Sequence, residues 1–394
     1  MKLAQSYSRL GTETAFEVLV RARALEAQGR KIVHLEIGEP DFDTPKNIRE
    51  AAKKALDEGW THYGPSAGLP QTRKAVSEYV SKTRGVAYTP EETVIVPGGK
   101  PIIFFTIMAL IDAGDEVIYP NPGFPIYESM INYVGGKAVP LPIREENGFD
   151  FDPDELDRLL TPKTRLLILN SPANPTGGVM SENTMNRVAA AVRKYPDLMV
   201  LTDEIYSRVV YQGKHASLMS LPGMKERCIL LDGFSKTWAM TGWRLGYGVG
   251  PKWIIDAMAK LATNDHSCVS SFSQIAAIEA LNGPQDAVTA MVAEFQRRRD
   301  VIVKGLNSIP GITCRTPSAS FYVFPNIKAT GMKSKALADA LLNEAGVACL
   351  PGTSFGSFGE GYLRFSYANS VANIETALAS IRATLPKLAA PAAR

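Results

Sequence analysis

Six short runs of mostly apolar residues recur between residues 94 and 250 of the chain. None of them alternates apolar with polar residues, so each is expected to be buried on both faces. Strands of that kind are typical of a mostly parallel sheet covered by helices, and a helix predicted from Ser181 separates two of the runs at βαβ spacing. We therefore predict an α/β fold with a mostly parallel central sheet flanked by helices, its strands at 94–97, 116–120, 165–170, 198–204, 228–234 and 245–250.

The pattern changes after Gly283. A long charged helix contains Glu294 and residues 297–299, and a segment from Ile312 to Pro325 is predicted to form two antiparallel strands. A helix near 334–344 and strands at 347–351 and 361–368 complete the C-terminal part. Strands and helices in this order indicate a smaller α+β unit.

Composition and charge exclude several classes of protein. At roughly 150 residues per domain, 394 residues suggest two or three domains. A net charge of +3 without a dense Lys/Arg run does not favour nucleic acid as a partner. The apolar run 102–111 is far shorter than the roughly 20 residues of a membrane span, so we expect a buried helix and no membrane. The start of the chain lacks the layout of a signal peptide. Widely spaced cysteines without a CxxC pair favour reduced thiols in a cytoplasmic protein and no metal site.

Polar residues follow several of the predicted strands. In open α/β sheets, ligands bind beyond the carboxyl ends of the strands, and a glycine-rich turn into a helix suits a phosphate. Taken singly, each group has an ordinary alternative, such as a turn, a helix cap or a surface cation. Together they favour one binding site. The groups are Gly98-Gly99-Lys100, Asn170 to Gly177, Asp203-Glu204-Ile205-Tyr206, Ser235-Lys236-Thr237 and Arg244.

Four of these groups, with three others, resemble the class I/II aminotransferases of PLP fold type I, in particular bacterial aspartate aminotransferases. The resemblance runs from about residue 15 to about residue 385. It implies the cofactor pyridoxal 5'-phosphate (PLP) and a homodimer with shared active sites. It also implies a large PLP-binding domain of residues 46–283 and a discontinuous small domain of residues 1–45 and 284–394. Among the groups above, the resemblance lies in Asn174-Pro175-Thr176-Gly177, Asp203-Glu204-Ile205-Tyr206, Ser235-Lys236 and Arg244. The three others are the segment Gly38-Glu39-Pro40-Asp41-Phe42, Tyr63 and Arg364.

The resemblance assigns the cofactor contacts. Lys236 forms the Schiff base and then carries the proton at the substrate Cα. Asp203 pairs with the pyridine nitrogen, which keeps the ring an electron sink. The ring oxygen receives hydrogen bonds from Asn174 and Tyr206, and Phe124 stacks on the ring. The phosphate is bound by Gly99, Lys100, Ser235, Arg244 and, from the partner subunit, Tyr63.

The resemblance also implies the substrate contacts. Arg364 binds the α-carboxylate as a planar fork, helped by Asn174 and the backbone N–H of Gly38. Lys100 resembles a lysine that meets the side-chain carboxylate of acidic substrates, although a lysine that merely begins a helix is the alternative. Gly123, where relatives carry bulkier residues, is interpreted as leaving room for larger side chains. Residues 266–271 correspond to a partner-subunit stretch near the substrate.

Several functions remain open on this basis. The leading hypothesis is a ping-pong aminotransferase that exchanges an amino group between an L-amino acid, aspartate or another acidic donor first, and a 2-oxo acid such as 2-oxoglutarate. Alanine, aromatic and methionine donors are the alternatives. A lyase of the same fold, such as a C–S lyase or a cyclopropane-forming synthase, would use the same Lys236 and Asp203. A non-enzymatic regulator is disfavoured, because the sequence offers no spare N-terminal length for a DNA-binding segment.

Overall fold

The computed structural model describes residues 2–389; residue 1 and residues 390–394, the two ends of the predicted small domain, lie outside it. The strands are β1 (Val33–His34), β2 (Thr93–Val96), β3 (Glu116–Asn121), β4 (Lys137–Pro142), β5 (Thr164–Asn170), β6 (Met199–Asp203), β7 (Cys228–Gly233), β8 (Gly246–Val249), β9 (Tyr322–Val323), β10 (Val347–Ala348), β11 (Leu350–Pro351) and β12 (Leu363–Ser366).

Local sequence signals explain several helix ends. The Ser181 side chain accepts a hydrogen bond from the Thr184 amide and so caps α7. Gly85, at φ 68°, ends α3 in the left-handed conformation that glycine adopts easily. The helices are α1 (Thr14–Ala27), α2 (Lys46–Asp57), α3 (Pro70–Arg84), α4 (Lys100–Leu110), α5 (Ile126–Val134), α6 (Pro153–Leu159), α7 (Glu182–Lys194), α8 (Phe234–Thr237), α9 (Lys252–Asp265), α10 (Ser271–Asn282), α11 (Asp286–Asn307), α12 (Ser334–Ala340) and α13 (Val371–Ala389).

Seven strands form the central sheet in the order β2-β8-β7-β6-β5-β3-β4. The pairings from β7 through β6, β5 and β3 to β4 are parallel, whereas β8 runs antiparallel to both β2 and β7. The predicted α/β fold with a mostly parallel sheet is confirmed. The sequence did not predict β4, whose prolines Pro140 and Pro142 suit its position at the edge of the sheet.

The sheet separates two apolar cores, as continuous apolar strands require. Along β5, Leu167 and Leu169 point into one core, and Leu166 and Ile168 point into the other. Helices α3, α7 and α10 supply residues to the first core, and α4, α5 and α9 supply residues to the second. This double burial fixes the sheet, so that its strand ends are rigid supports for polar groups.

A further core lies among α11, α12, α13 and the short strands β9, β10 and β12. The parallel pair of β1 with β10 attaches the N-terminal segment to this unit. The prediction of two antiparallel strands between Ile312 and Pro325 was wrong for most of that segment. The segment forms β9 and two isolated antiparallel bridges, from Thr313 to Asn326 and from Ala319 to Val210, because Pro317 and small polar residues interrupt the run.

The start of the chain packs against α5. Residues 5–9 form a 3-10 helix, and the Arg9 guanidinium donates to the carbonyls of Asn132 and Tyr133 at the end of α5. The start of the chain therefore packs beside the central sheet and leads directly into α1.

No helix among residues 2–389 combines the length and the apolar character that a bilayer crossing needs.

Candidate active site

A cavity of about 530 Å³ opens at the carboxyl ends of the parallel strands. It brings together every predicted site residue except Tyr63, whose side chain is 92% exposed and outside the cavity. Strands β5, β6 and β7 end at this cavity, and β12 and the start of α1 close its other side. The predicted residues that line it are Gly38, Gly99, Lys100, Phe124, Asn174, Asp203, Tyr206, Ser235, Lys236, Arg244 and Arg364.

Lys236 lies in the short helix α8, directly after β7. Its Nζ donates a hydrogen bond of 2.5 Å to the carbonyl oxygen of Gly38. Burial lowers the pKa of Lys236 to about 8, and the positive charges of Arg364 and Arg244 act in the same direction. Burial is the larger of these causes. A large fraction of the amine is therefore neutral near pH 8 and able to act as a base.

Asp203 ends β6 and is buried. The hydroxyl of Tyr127, in the first turn of α5, donates to its Oδ2 at 2.7 Å, and the Ile205 amide donates to Oδ1 at 3.2 Å. Burial nevertheless raises the pKa of Asp203 to about 7. A cation held against this carboxylate would lower that pKa, and the carboxylate would in turn keep the cation charged.

A buried network of charges supports the ends of β6 and β7. The Arg84 guanidinium contacts Glu204 at 2.9 Å and Asp232 at 2.8 Å, and His215 contacts Glu204 at 2.7 Å. Burial alone would raise the pKa of Glu204, but His215 and Arg84 lower it to about 2. Because Glu204 follows Asp203 in the chain, the network fixes the backbone that presents Asp203.

Arg364 is buried on β12, between the rings of Tyr322 at 4.5 Å and Phe355 at 4.9 Å. Its Nη1 donates to Asn174 Oδ1 at 3.2 Å, and its Nη2 donates to the Glu36 carbonyl. Its Nε is buried and has no hydrogen-bond partner among the described residues. An unpaired buried donor is costly, so this guanidinium is suited to receive an anionic ligand.

Position 38 must be glycine because its backbone lies close to the Tyr322 side chain. A Cβ at this position would lie 1.9 Å from the Tyr322 hydroxyl oxygen. That hydroxyl is 2.9 Å from the hydroxyl of Tyr206, so Tyr206 has one bond inside the protein and can still turn its proton or a lone pair to the cavity. The sequence prediction missed Tyr322 as well as Tyr127.

One end of the cavity is suited to a phosphate. Gly99 precedes α4, whose first amide groups have no partner within the helix. Gly98 adopts a φ of +87°, and a Cβ there would lie 2.3 Å from Nη2 of Arg244. Arg244 is held by a hydrogen bond of 2.8 Å from its Nη1 to the Thr241 carbonyl. With Ser235 on the same side, a helix N-terminus, a guanidinium and a hydroxyl converge.

Lys100 occupies the first turn of α4, and its Nζ forms an ion pair with Glu13, immediately before α1. The same Nζ lies 5.7 Å from the centroid of the Phe124 ring. The interpretation of Gly123 was wrong: a Cβ at Gly123 would lie 2.1 Å from the Pro120 carbonyl oxygen. Glycine is needed there for backbone contact and does not enlarge the cavity.

Comparisons with known proteins agree with this geometry. A family model described as aminotransferase class I and II matches residues 30–381. The chain belongs to the class I and II aminotransferase family. An aspartate aminotransferase of Pyrococcus horikoshii is 43% identical over 372 residues, which are 94% of this chain and 93% of that protein. An aromatic-amino-acid aminotransferase 2 of Thermococcus litoralis is 42% identical over 357 residues, 89% of this chain and 91% of that protein.

Solved structures extend the match to the whole fold. The crystal structure of an aspartate aminotransferase from Rhizobium meliloti superposes with a TM-score of 0.94 at 36% identity, covering 98% of this chain and 99% of that one. The predicted fold type I and the predicted enzyme class are confirmed. As an aminotransferase of this family, the protein depends on PLP and transfers amino groups between amino acids and 2-oxo acids.

The cavity of this aminotransferase fits PLP. It offers a buried amine of lowered pKa on Lys236, a buried carboxylate on Asp203 and the phosphate-binding end described above. The unpartnered Nε of Arg364 is left for a substrate carboxylate. Residues 2–389 contain no cluster of three or more His, Cys, Asp or Glu side chains that could hold a metal ion.

Proposed function

We propose that this aminotransferase takes L-aspartate or another acidic amino acid as donor and 2-oxoglutarate as acceptor. The observation that supports this proposal most directly is that two cationic side chains, Arg364 and Lys100, line one cavity with Lys236. A dicarboxylic substrate presents two anionic groups, and each would meet one of these cations. The similarity to proteins named aspartate aminotransferase supports the same substrate class.

We propose that the site residues act as follows. Lys236 would hold PLP covalently, and its amine would take and return the proton at the substrate Cα. When bound, PLP supplies a ring that accepts electrons from Cα. Asp203 holds a proton on the ring nitrogen, because a buried carboxylate stabilises an adjacent cation. Asn174 turns its Oδ1 to Arg364, so its Nδ2 is the group that donates to the ring oxygen, together with the Tyr206 hydroxyl.

The amino acid would be oriented through its α-carboxylate. Arg364 binds this group, and the Gly38 backbone and Asn174 assist. Fixing the carboxylate fixes the direction of the Cα–H bond relative to Lys236, which places the acceptor amine beside the proton to be moved. The rings of Tyr322 and Phe355 pack against the Arg364 guanidinium and limit its rotation.

Tyr63 supports a homodimer with shared active sites. Its side chain is 92% exposed and does not reach the cavity of its own chain, so it is free to bind the phosphate in a partner's cavity. Residues 266–271 would face the partner's substrate in the same way. We also retain the division into a PLP-binding domain of residues 46–283 and a small domain of residues 1–45 and 284–394. Four free cysteines support a reducing, cytoplasmic location.

Subunit mixing tests the shared site. Tyr63→Phe and Lys236→Ala variants each lack one component, and a mixed dimer contains one site with both components intact. We expect the mixture to recover PLP affinity and activity that neither variant has alone. A mixture no better than the average of the two separate variants would refute a contribution from Tyr63 across the interface, and sedimentation velocity of the wild type measures the dimer itself.

The assignment of Lys236 and of the donor is tested by two measurements on the holoenzyme. Borohydride reduction followed by peptide mapping should fix the cofactor on Lys236; cofactor trapped on another lysine would refute the assignment. A panel of amino donors against 2-oxoglutarate, pyruvate and oxaloacetate should give the highest kcat/KM with aspartate and 2-oxoglutarate. Ammonia released without a 2-oxo acid acceptor would instead indicate a lyase of the same fold.

One observation favours a second donor class. Lys100 is already paired with Glu13, and Phe124 and Phe355 present aromatic rings to the cavity. An apolar or aromatic donor could therefore enter without an opposite charge on its side chain. The relative from Thermococcus litoralis is named as an aromatic-amino-acid aminotransferase. In the same donor panel, phenylalanine with a kcat/KM above that of aspartate would favour this alternative.

A further inference from the structure

Glu13 places a carboxylate beside Lys100, one of the basic side chains that line the cavity. Its Oε1 forms an ion pair with Nζ of Lys100, and both residues line the cavity that contains Lys236 and Arg364. The Glu13 side chain is 18% exposed and that of Lys100 is 43% exposed. The pair is therefore shielded on the Glu13 side and open to the cavity on the Lys100 side.

The position of Glu13 in its helix makes this contact unusual. Glu13 is the N-cap residue of α1, yet its side chain accepts no hydrogen bond from the amides of that helix. A capping carboxylate commonly stabilises those amides. Here it points to Lys100, and its charge acts on the pKa of Lys236 and of Arg364 as well. The carboxylate thus contributes to the charge of the active site and not to the helix cap.

We propose that Glu13 sets donor selectivity by competing with the side-chain carboxylate of an acidic substrate for Lys100. This inference rests on the proposed function, in which Lys100 reads that carboxylate. With an apolar donor, the Glu13–Lys100 pair stays closed and no unpaired cation faces the apolar side chain. With an acidic donor, Glu13 must turn away, because two carboxylates within a few ångströms of one another repel. The cost of opening the pair lowers the advantage of acidic donors, so Glu13 broadens the range of donors.

The surroundings of Glu13 allow it to move. Gly11 and Thr12, directly before it, are exposed and belong to no helix or strand. Solvent is therefore available to the displaced carboxylate, which regains hydration when it leaves Lys100. The ammonium remains next to the Phe124 ring, whose face is attractive to a cation.

A charge-neutral variant of nearly the same shape, Glu13→Gln, tests the proposal in the holoenzyme. We expect the ratio of kcat/KM for aspartate to kcat/KM for phenylalanine to rise about threefold to tenfold, the factor that corresponds to a partly exposed ion pair worth about 1 kcal/mol. Glu17→Gln removes the same charge one turn further along α1, on an exposed residue outside the cavity, and should leave the ratio unchanged. Lys100→Met should lower the ratio below that of the wild type.

Binding of unreactive ligands separates this proposal from the donor assignment. Calorimetric titration of the holoenzyme with succinate and with butyrate compares a dicarboxylate with a monocarboxylate of equal chain length. Glu13→Gln should lower the Kd for succinate and leave the Kd for butyrate unchanged. If the wild type prefers apolar donors but Glu13→Gln still gains succinate affinity, the donor assignment fails and the role of Glu13 stands. Equal effects on the two ligands, or an effect matched by Glu17→Gln, would overturn the proposal.

Discussion

Tyr127 donates a hydrogen bond of 2.7 Å to the carboxylate of Asp203, and both side chains are buried. The bond favours the ionised form of Asp203, whereas burial favours the protonated form. Burial is the larger effect, which leaves the pKa of Asp203 at about 7. The carboxylate is thus kept close to the point of ionisation until a cation binds beside it. Two residues on separate elements, β6 and α5, set this balance.

Loss of the Tyr127 hydroxyl should weaken cofactor binding. In Tyr127→Phe, Asp203 loses a donor to its charged form, so its pKa rises and less carboxylate is present at neutral pH. We expect the Kd for PLP, measured by titrating apoenzyme, to rise about tenfold, as for a hydrogen bond to a charged group worth about 1.5 kcal/mol. The loss should be smaller at pH 9 than at pH 7. Tyr133→Phe, on the same helix but outside the cavity, is the control, and an equal loss in both variants would contradict the role of Tyr127.

Asp203→Asn should stabilise the apoprotein while abolishing transamination. The folded pKa of about 7 lies above the usual value of 3.8, so the protonated form contributes stability that is complete below the usual pKa and is lost as the pH rises to about 7. Asparagine cannot ionise and can keep both the Tyr127 and the Ile205 contacts. Urea unfolding of the apoprotein should show the variant more stable by about 2 to 4 kcal/mol at pH 8, with the difference shrinking toward pH 4. A constant difference across this range would contradict the raised pKa.

Gly38→Ala should lower kcat/KM without unfolding the protein. The added Cβ would lie 1.9 Å from the hydroxyl of Tyr322, whose ring packs on the Arg364 guanidinium. The ring must shift, and the clamp for the substrate carboxylate shifts with it. We expect KM to rise for the amino acid and for the 2-oxo acid alike, by about tenfold to a hundredfold. Gly242→Ala, where a Cβ meets nothing within 4 Å, should change neither KM, and equal effects at the two glycines would refute the explanation.

The sequence predicted the residues that follow directly after strands. Asn174, Asp203 and Lys236 belong to the ends of β5, β6 and β7, and the parallel order of these strands brings the three together by geometry alone. The same argument could not find Tyr127 or Tyr322. Their contacts depend on how a helix and a distant strand pack over the sheet. In the sequence alone, a tyrosine that will contact the site cannot be distinguished from a tyrosine of the ordinary core.

Long-range electrostatic contacts were equally invisible in the sequence. Lys100 was recognised as a cation at a helix start, but its partner Glu13 is 87 residues away in the chain. The antiparallel direction of β8 could not be predicted from the sequence either, because its residues are buried like those of a parallel strand. The pattern of apolar residues indicates which strands are buried, but it does not indicate their direction. It therefore predicted a sheet and could not predict the order and direction of its strands.

Removal of Arg84 should destabilise the protein far more than removal of a surface arginine. Arg84 is 2% exposed in its side chain and contacts Glu204 and Asp232. In Arg84→Met, Asp232 loses its cationic partner and Glu204 keeps only His215, and breaking such a buried network costs about 3 to 5 kcal/mol. Arg187→Met also breaks contacts to two carboxylates, Asp154 and Asp157, but at an exposed site, where solvent screening leaves an ion pair with little effect on stability. Urea unfolding of the apoproteins compares the two directly.

The pH dependence and a second substitution separate charge from packing in this network. The pKa of Glu204 is lowered to about 2 from its usual 4.5, so its contribution to stability is present above pH 4.5 and is lost as the pH falls toward 2. Without Arg84 the pKa of Glu204 rises, and this acid-sensitive contribution should shrink. Adding Asp232→Asn to Arg84→Met removes one uncompensated charge and should recover part of the loss. Removing a negative charge can restore stability only if the loss came from uncompensated charge. If Asp232→Asn destabilises the Arg84→Met protein further, Arg84 stabilises the protein through its packing and not through its charge.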